Sequence, residues 1–180
     1  GIPSVGRQAL TAGLRVPGHE LGLAARAMQQ DSQIDEPDYG TLLDSMLCTC
    51  TPVQVLDIPA ARFVAPRVEV ELAFVLKAPL KGPNVKQEQV LAATDYVTPA
   101  IEIIDARIEQ FDRHPKAMRK VFDTISDNAA NARLVVGDQK AAPGSLDLSW
   151  VGAIMRRNGG FEATGPAGDG PASPPPSPPR

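Results

Sequence analysis

Glu69 and Glu71 stand two residues apart in VEVELAFVL, residues 68–76, where β-branched and apolar side chains alternate with carboxylates in the period of a strand. Residues i and i+2 of a strand share a face, so the two carboxylates lie side by side with Cα atoms roughly 7 Å apart. A divalent ion can draw such oxygens together, but the wet face of an amphipathic strand carries the same pattern. Glu102 sits between Ile101 and Ile103 in AIEIIDARI, residues 100–108, whose apolar neighbours favour burial. An ionised carboxylate there needs a positive partner. Either a metal ion shared with Glu69 and Glu71 supplies it, or an internal salt bridge involving the nearby Asp105 and Arg107 does; the residues alone leave both open. Three carboxylates with no Cys or His partner suit a hard cation, Mg²⁺ or Mn²⁺ rather than Zn²⁺ or copper, and leave coordination positions for a substrate.

The other reactive side chains point to less. His19 and His114 are not spaced as a ligand pair, and His114 lies in the polar run DRHPK, where a solvated imidazole is expected. Cys48 and Cys50 are too few for a zinc site and too close together to staple a fold, and no activating base accompanies them. The chain contains no Gly-x-Ser-x-Gly nucleophile motif and no phosphate-cradling glycine loop.

These acids must be held by a scaffold that the composition allows. The chain of 180 residues carries 18 Lys+Arg against 21 Asp+Glu, a formal charge of −3, so there is no global basic field for a nucleic-acid backbone. A hydrophobic fraction of 43% fits a globular protein with a core of its own. No apolar run approaches the roughly 20 residues of a bilayer-spanning helix, and no charged-then-apolar leader opens the chain. A soluble cytoplasmic protein, with neither membrane nor nucleic-acid partner, is the expectation.

Along the chain, residues 19–30 place Leu21, Ala24, Ala25 and Met28 at helical spacing. Gly18 and Gly22 leave the first half equally readable as a strand, and the second half reads as helix. Residues 31–39 form an acidic, proline-containing loop, a natural place for a site, followed by an apolar segment over 41–47. Residues 68–76 are the clearest strand, ended by Pro79, Gly82 and Pro83. Residues 85–96 read as an amphipathic helix burying Val85, Val90, Leu91 and Ala93, stopped before Pro99. Residues 100–108 are a second buried strand, 115–132 carry helical signals around Met118, Val121 and Phe122, 134–137 are a short strand, and 145–155 are the last one. Helices and strands without regular βαβ alternation indicate an α+β fold. From about Gly159 the composition turns to Pro and Gly, ending in PAGDGPASPPPSPPR; such a tail is expected to be disordered.

The segments APRVEVELAFVLKAPLKGPNV, YVTPAIEIIDARIEQF and DTISDNAANARLVVG resemble, in order and spacing, the 2-keto-4-pentenoate hydratase family of the fumarylacetoacetate hydrolase superfamily. The resemblance is closest to the branch acting on 2-oxohept-4-ene-1,7-dioate. EPDYGTLLDSM fits that branch too, and coverage runs from about Arg15 to Asn158. The resemblance implies a mixed β-sheet or β-roll with flanking helices, in a partial family domain over residues 1–158, followed by the tail over 159–180. It implies Mg²⁺ or Mn²⁺ held by Glu69, Glu71 and Glu102, with Asp38 of the PDYG segment as catalytic acid or base. The implied substrate is a small 2-oxo-enoate or 2-hydroxy-dienoate to which water is added, and the implied assembly is a homo-oligomer. Decarboxylation of the 4-oxalocrotonate type is the sister reaction.

Two departures from the family pattern bear on function. Where the family reads Gly-His-Lys-Ile-Gly-Leu-Thr-Ser, this chain has GHELGLAA, residues 18–25, so Glu20 replaces a lysine. Like charge beside a dianionic substrate opposes its binding. Relative to the family the sequence also looks shortened at both ends, with C-terminal strands missing, so a marginally stable, non-catalytic remnant is the rival expectation.

Overall fold

A computed structural model describes residues 13–22, 29, 36–51, 55–109, 111, 112 and 117–166. The chain divides into two compact units, Gly1–Glu71 with Pro99–Gln139 and Leu72–Thr98 with Lys140–Arg180. Strands dominate the described residues and helices are short, in keeping with the expected α+β class.

In the first unit, β1 (Gly18–Gly22) pairs antiparallel with β2 (Asp38–Leu42), setting Glu20 opposite Gly40 and Gly22 opposite Asp38. Asp38 and Tyr39 therefore belong to a strand, not to the expected loop. Of the helix expected in the second half of 19–30 only Gln29 is described, and it is helical; the first part of that loop and His114 lie outside the described residues. A four-stranded sheet follows, in the order β3 (Leu47–Cys50), β8 (Asn131–Gly137), β5 (Thr94–Ile104), β4 (Arg67–Leu76). β3 runs parallel to β8, and β5 runs antiparallel to it with Glu102 opposite Leu134. β4 follows the alternation of its sequence, with Glu69 and Glu71 half-buried and Val68 and Val70 exposed.

Two pieces of the first unit differ from expectation. The helical signals over 115–132 resolve into a two-residue pairing of β6 (Phe111–Asp112) with β7 (Ala117–Met118) and a short helix, Val121–Ser126. That helix buries Val121, Thr124 and Ile125 at positions i, i+3 and i+4, while Phe122 faces outward. It cannot continue, because Asn128, Ala129 and Ala130 all take left-handed backbone, with φ of 57°, 55° and 59°. Side chains with a Cβ adopt this conformation at roughly 1–2 kcal/mol each. Hydrogen bonds offset the cost: Asn128 Oδ1 accepts the Thr41 N–H at 2.7 Å and Asn128 Nδ2 donates to the Thr41 carbonyl at 3.0 Å. The left-handed turn thus supplies β2 with the partners a further strand would give.

In the second unit, the helix expected over 85–96 is confined to Gln87–Ala93, and β5 begins directly at Thr94. Thr94, Tyr96, Val97 and Thr98 are β-formers, and their propensity outweighs the helical spacing. Ala93 is buried as expected, whereas Val85 precedes the helix and is exposed. Pro99 lies within β5 rather than beyond a helix end. The strand expected over 145–155 begins only at Gly152: a 3₁₀ turn at Leu148–Trp150 leads into β9 (Gly152–Arg157), which pairs with a further strand, β10 (Gly160–Pro166). The first seven residues past Gly159 are therefore a strand, and residues 167–180 lie outside the described set. Asn158 and Gly159, with φ of 51° and 80°, make the two-residue connection. Both values are positive, as tight hairpins of right-twisted strands require.

Candidate metal and proton-transfer site

Glu69 and Glu71 are carried by β4 and Glu102 by β5, the next strand in the sheet. Each offers a carboxylate oxygen, and the three oxygens lie within 4.8 Å of one another. The strand period predicted that Glu69 and Glu71 share a face; adjacency of β4 and β5 adds the third acid.

Glu102 is 1% exposed, and its Oε1 has no hydrogen-bond partner among the described residues. Burial, and then the charges of Glu69, Glu71 and Asp38, push its carboxyl up to about 8. Burial also raises Glu69, with Asp38 adding to the shift and Arg67 opposing it. Glu71 is raised by burial and then by Glu69.

The salt-bridge explanation of Glu102 is answered by where the neighbouring charges go. Arg107 Nε sits 2.9 Å from Asp127 Oδ1, and its two Nη atoms donate to the carbonyls of Asp105, Asn131 and Asp127. Asp105 turns the other way and accepts the N–H groups of Val64 and Ala65 at 2.8–3.0 Å. Those backbone donors hold its carboxyl below the usual range.

Asp38 occupies the start of β2, is 5% exposed, and has an unpartnered Oδ1 among the described residues. Burial raises its carboxyl, and the Arg119 guanidinium beside it opposes the shift. It acts electrostatically on Glu20, Glu69 and Glu102, so it belongs to the same acidic region as the triad.

Glu20 joins this region from β1. Burial, followed by the charges of Glu102, Asp38, Glu71 and Glu69, pushes it up to about 9, and its Oε2 is buried without a partner among the described residues. The sequence identified Glu20 only as a charge reversal; pairing of β1 with β2 turns it into the fifth acid of the region. Arg119 was not singled out, and its separation from Asp38 along the chain carries no signal. His19 is exposed on the opposite face of β1. Cys48 and Cys50 are half-buried thiols, and Cys50 Sγ donates to the Thr51 carbonyl at 3.3 Å.

No family-level sequence profile matches the chain. It is 52% identical over 161 residues to a 2-oxo-hept-4-ene-1,7-dioate hydratase of Escherichia coli, covering 89% of this chain and 59% of that protein. It is 36% identical to a 2-hydroxypent-2,4-dienoate hydratase of Pseudomonas putida, covering 87% of this chain and 66% of that protein. Among solved structures, 4-oxalocrotonate decarboxylase from Pseudomonas putida G7, complexed with magnesium and adipate, superposes with a TM-score of 0.74 at 28% identity. That match covers 91% of this chain and 60% of the decarboxylase. The chain thus spans about three fifths of the length of these proteins.

Proposed function

The chain belongs to the 2-keto-4-pentenoate hydratase family of the fumarylacetoacetate hydrolase superfamily, and from that membership we propose that it binds Mg²⁺ or Mn²⁺ on Glu69, Glu71 and Glu102 and acts as a hydratase. Its substrate class is a small 2-hydroxy-dienoate or 2-oxo-enoate, 2-oxohept-4-ene-1,7-dioate foremost. The observation that carries the reading is the convergence of three carboxylate oxygens, one each from Glu69, Glu71 and Glu102, together with the buried Oε1 that Glu102 keeps without a partner among the described residues. An all-oxygen donor set fits a hard dication. Arg107, the nearest competitor in sequence for Glu102, is engaged by Asp127.

When bound, such an ion supplies Lewis-acid stabilisation of the negative charge that develops on the substrate's C2 oxygen. The protein's own groups must do the proton work. Ketonisation of a 2-hydroxy-dienoate moves the hydroxyl proton away and delivers a proton to C5, leaving the C3–C4 double bond conjugated with the C2 carbonyl. Water then adds its oxygen at C4 while a proton reaches C3. Asp38 is the group we assign to this transfer, because burial raises its affinity for a proton while Arg119 restrains the rise. Glu20, in place of a lysine, adds negative charge on the side a dianion must approach. It is therefore expected to raise KM.

The test is loss of the substrate's diene absorbance when purified chain and Mn²⁺ are added, with and without Glu71→Ala. Metal-dependent loss with wild type and none with the variant supports the proposal; no loss with either removes the enzymatic claim. The likeness to the decarboxylase favours one second reading, release of carbon dioxide from a 4-oxalocrotonate-like substrate. Product analysis separates the two reactions. A Tm unmoved by Mn²⁺ would instead favour the non-catalytic reading, because a ligand that binds only the folded state must raise stability.

A further inference from the structure

Resting on the assignment of Asp38 to proton transfer, we propose that Glu20 is its positioning residue: the Glu20 carboxyl carries a proton and donates it in a hydrogen bond to Asp38 Oδ1, which keeps Asp38 an ionised and oriented base. The β1–β2 register brings the two acids together. Glu20 stands opposite Gly40, and Asp38 opposite Gly22. Directly opposed residues share a face, as do residues two apart in a strand, so Glu20 and Asp38 are diagonal neighbours on one face of the ladder. Each faces a residue with no side chain, and each carboxyl extends into the space so left. A Cβ on Gly22 would lie 2.3 Å from Asp38 Oδ1 and 2.9 Å from Glu20 Oε1. The two oxygens are therefore no farther apart than the sum of those distances.

The surroundings of these carboxyls lack a hydrogen. A Cβ on Gly40 would lie 3.1 Å from Glu20 Oε2 and 2.8 Å from the Asn128 carbonyl oxygen, so Glu20 has acceptors near both of its oxygens. Asp38 Oδ1 and Glu20 Oε2 are buried without a partner among the described residues, and the Arg119 guanidinium beside Asp38 leaves Oδ1 unbonded. Buried acceptors are ordinarily satisfied. An ionised carboxylate can only accept, whereas a protonated one has an O–H to donate. With one proton between them, two neighbouring carboxyls lose their mutual repulsion and gain a charge-assisted hydrogen bond. The proton falls to Glu20: burial, and then the charges of Glu102, Asp38, Glu71 and Glu69, push its carboxyl up to about 9, while the charge of Arg119 favours the ionised form of Asp38. The pair keeps one negative charge, so the like-charge cost to a dianionic substrate persists.

The deciding experiment is infrared difference spectroscopy of the full chain with saturating Mg²⁺, read beside the pH dependence of kcat. Wild type minus Glu20→Gln should show the C=O band of one protonated carboxyl at neutral pH. That band should shift when Asp38→Asn removes the charged acceptor, and it should vanish on the alkaline side, where wild-type kcat also falls. Glu20→Gln, whose amide can donate in place of the O–H, should keep kcat and lose the alkaline fall. Glu20→Ala should lower kcat by at least about tenfold without raising KM. A difference spectrum without that band, a band unmoved in Asp38→Asn, or a folded Glu20→Gln as slow as Glu20→Ala overturns the proposal. Absence of turnover in every form removes the hydratase reading and leaves the band to decide the carboxyl pair. Circular dichroism shows which variants are folded; if neither Glu20 variant folds, wild type minus Asp38→Asn decides in the same way.

Discussion

Two groups of buried acids in the first unit follow opposite rules. Around Arg107, Asp127 meets the guanidinium at 2.9 Å and accepts the Arg107 N–H at 2.9 Å, while Asp105 accepts backbone N–H groups of Val64 and Ala65. Across the strands that carry Glu20, Asp38 and Glu102, each acid keeps an oxygen with no partner among the described residues. The first group is satisfied by the chain itself and holds the fold. The second is held in place by the fold against its own repulsion, and it is completed only by protons or cations. The comparison separates acids that the described chain satisfies from acids that it leaves unsatisfied.

The largest effect should come from the satisfied side. Asp127→Ala leaves the Arg107 guanidinium without its ion pair and is expected to cost about 3 kcal/mol, read as a lower urea midpoint at unchanged m. Next comes the link between the two groups, Asn128, whose amide clamps the β2 backbone at Thr41, three residues along the strand from Asp38. Asn128→Ala should cost about 2 kcal/mol by removing two buried hydrogen bonds, read in the same urea titration.

The smallest effect should have the reverse sign. In chelator-treated protein at about pH 9, Glu102→Gln removes an uncompensated charge and should stabilise the chain by about 1 kcal/mol; a loss of stability there would show that Glu102 already has a partner. The pH dependence follows from the same asymmetry. Glu102 and Glu20 titrate in the folded chain at about 8 and about 9, above their ordinary value of 4.5. Between those values the folded state binds more protons than the unfolded one, so the Tm of metal-free protein should fall as pH rises across this window. Asp105, whose folded value is lowered, contributes in the opposite sense: its stabilisation is present above its ordinary value of 3.8 and is lost as pH falls through the lowered one. A Tm that stays flat from about pH 5 to 9 would contradict the unsatisfied state of Glu20 and Glu102.

Much of the fold was legible where one local signal acted alone. β4 follows its alternation, and the pairing of Glu69 with Glu71 follows from strand period. The helix over 85–96 was overestimated because Thr94, Tyr96 and Val97 could serve either periodicity, and sheet pairing decided. The hairpin of β9 and β10 carried a readable signal in Asn158-Gly159, which the proline-rich composition beyond it obscured. The left-handed turn at Asn128–Ala130 had none: two alanines there give no cue for positive φ, and only the bonds to Thr41 hold them.

Sequence by itself determined the chemistry available to this protein: hard oxygen ligands, no thiol or imidazole set, and an acid at position 20. Tertiary structure alone decided which acids meet. Arg107 could have answered Glu102, but it is drawn to Asp127 and to three carbonyls. Glu20, far along the chain from the triad, is brought to the same region by a two-strand ladder that sets it opposite Gly40. The reason is physical: residue type fixes what a group can bind, whereas strand order and backbone approach fix which groups share a low-dielectric space, and the charges act only there.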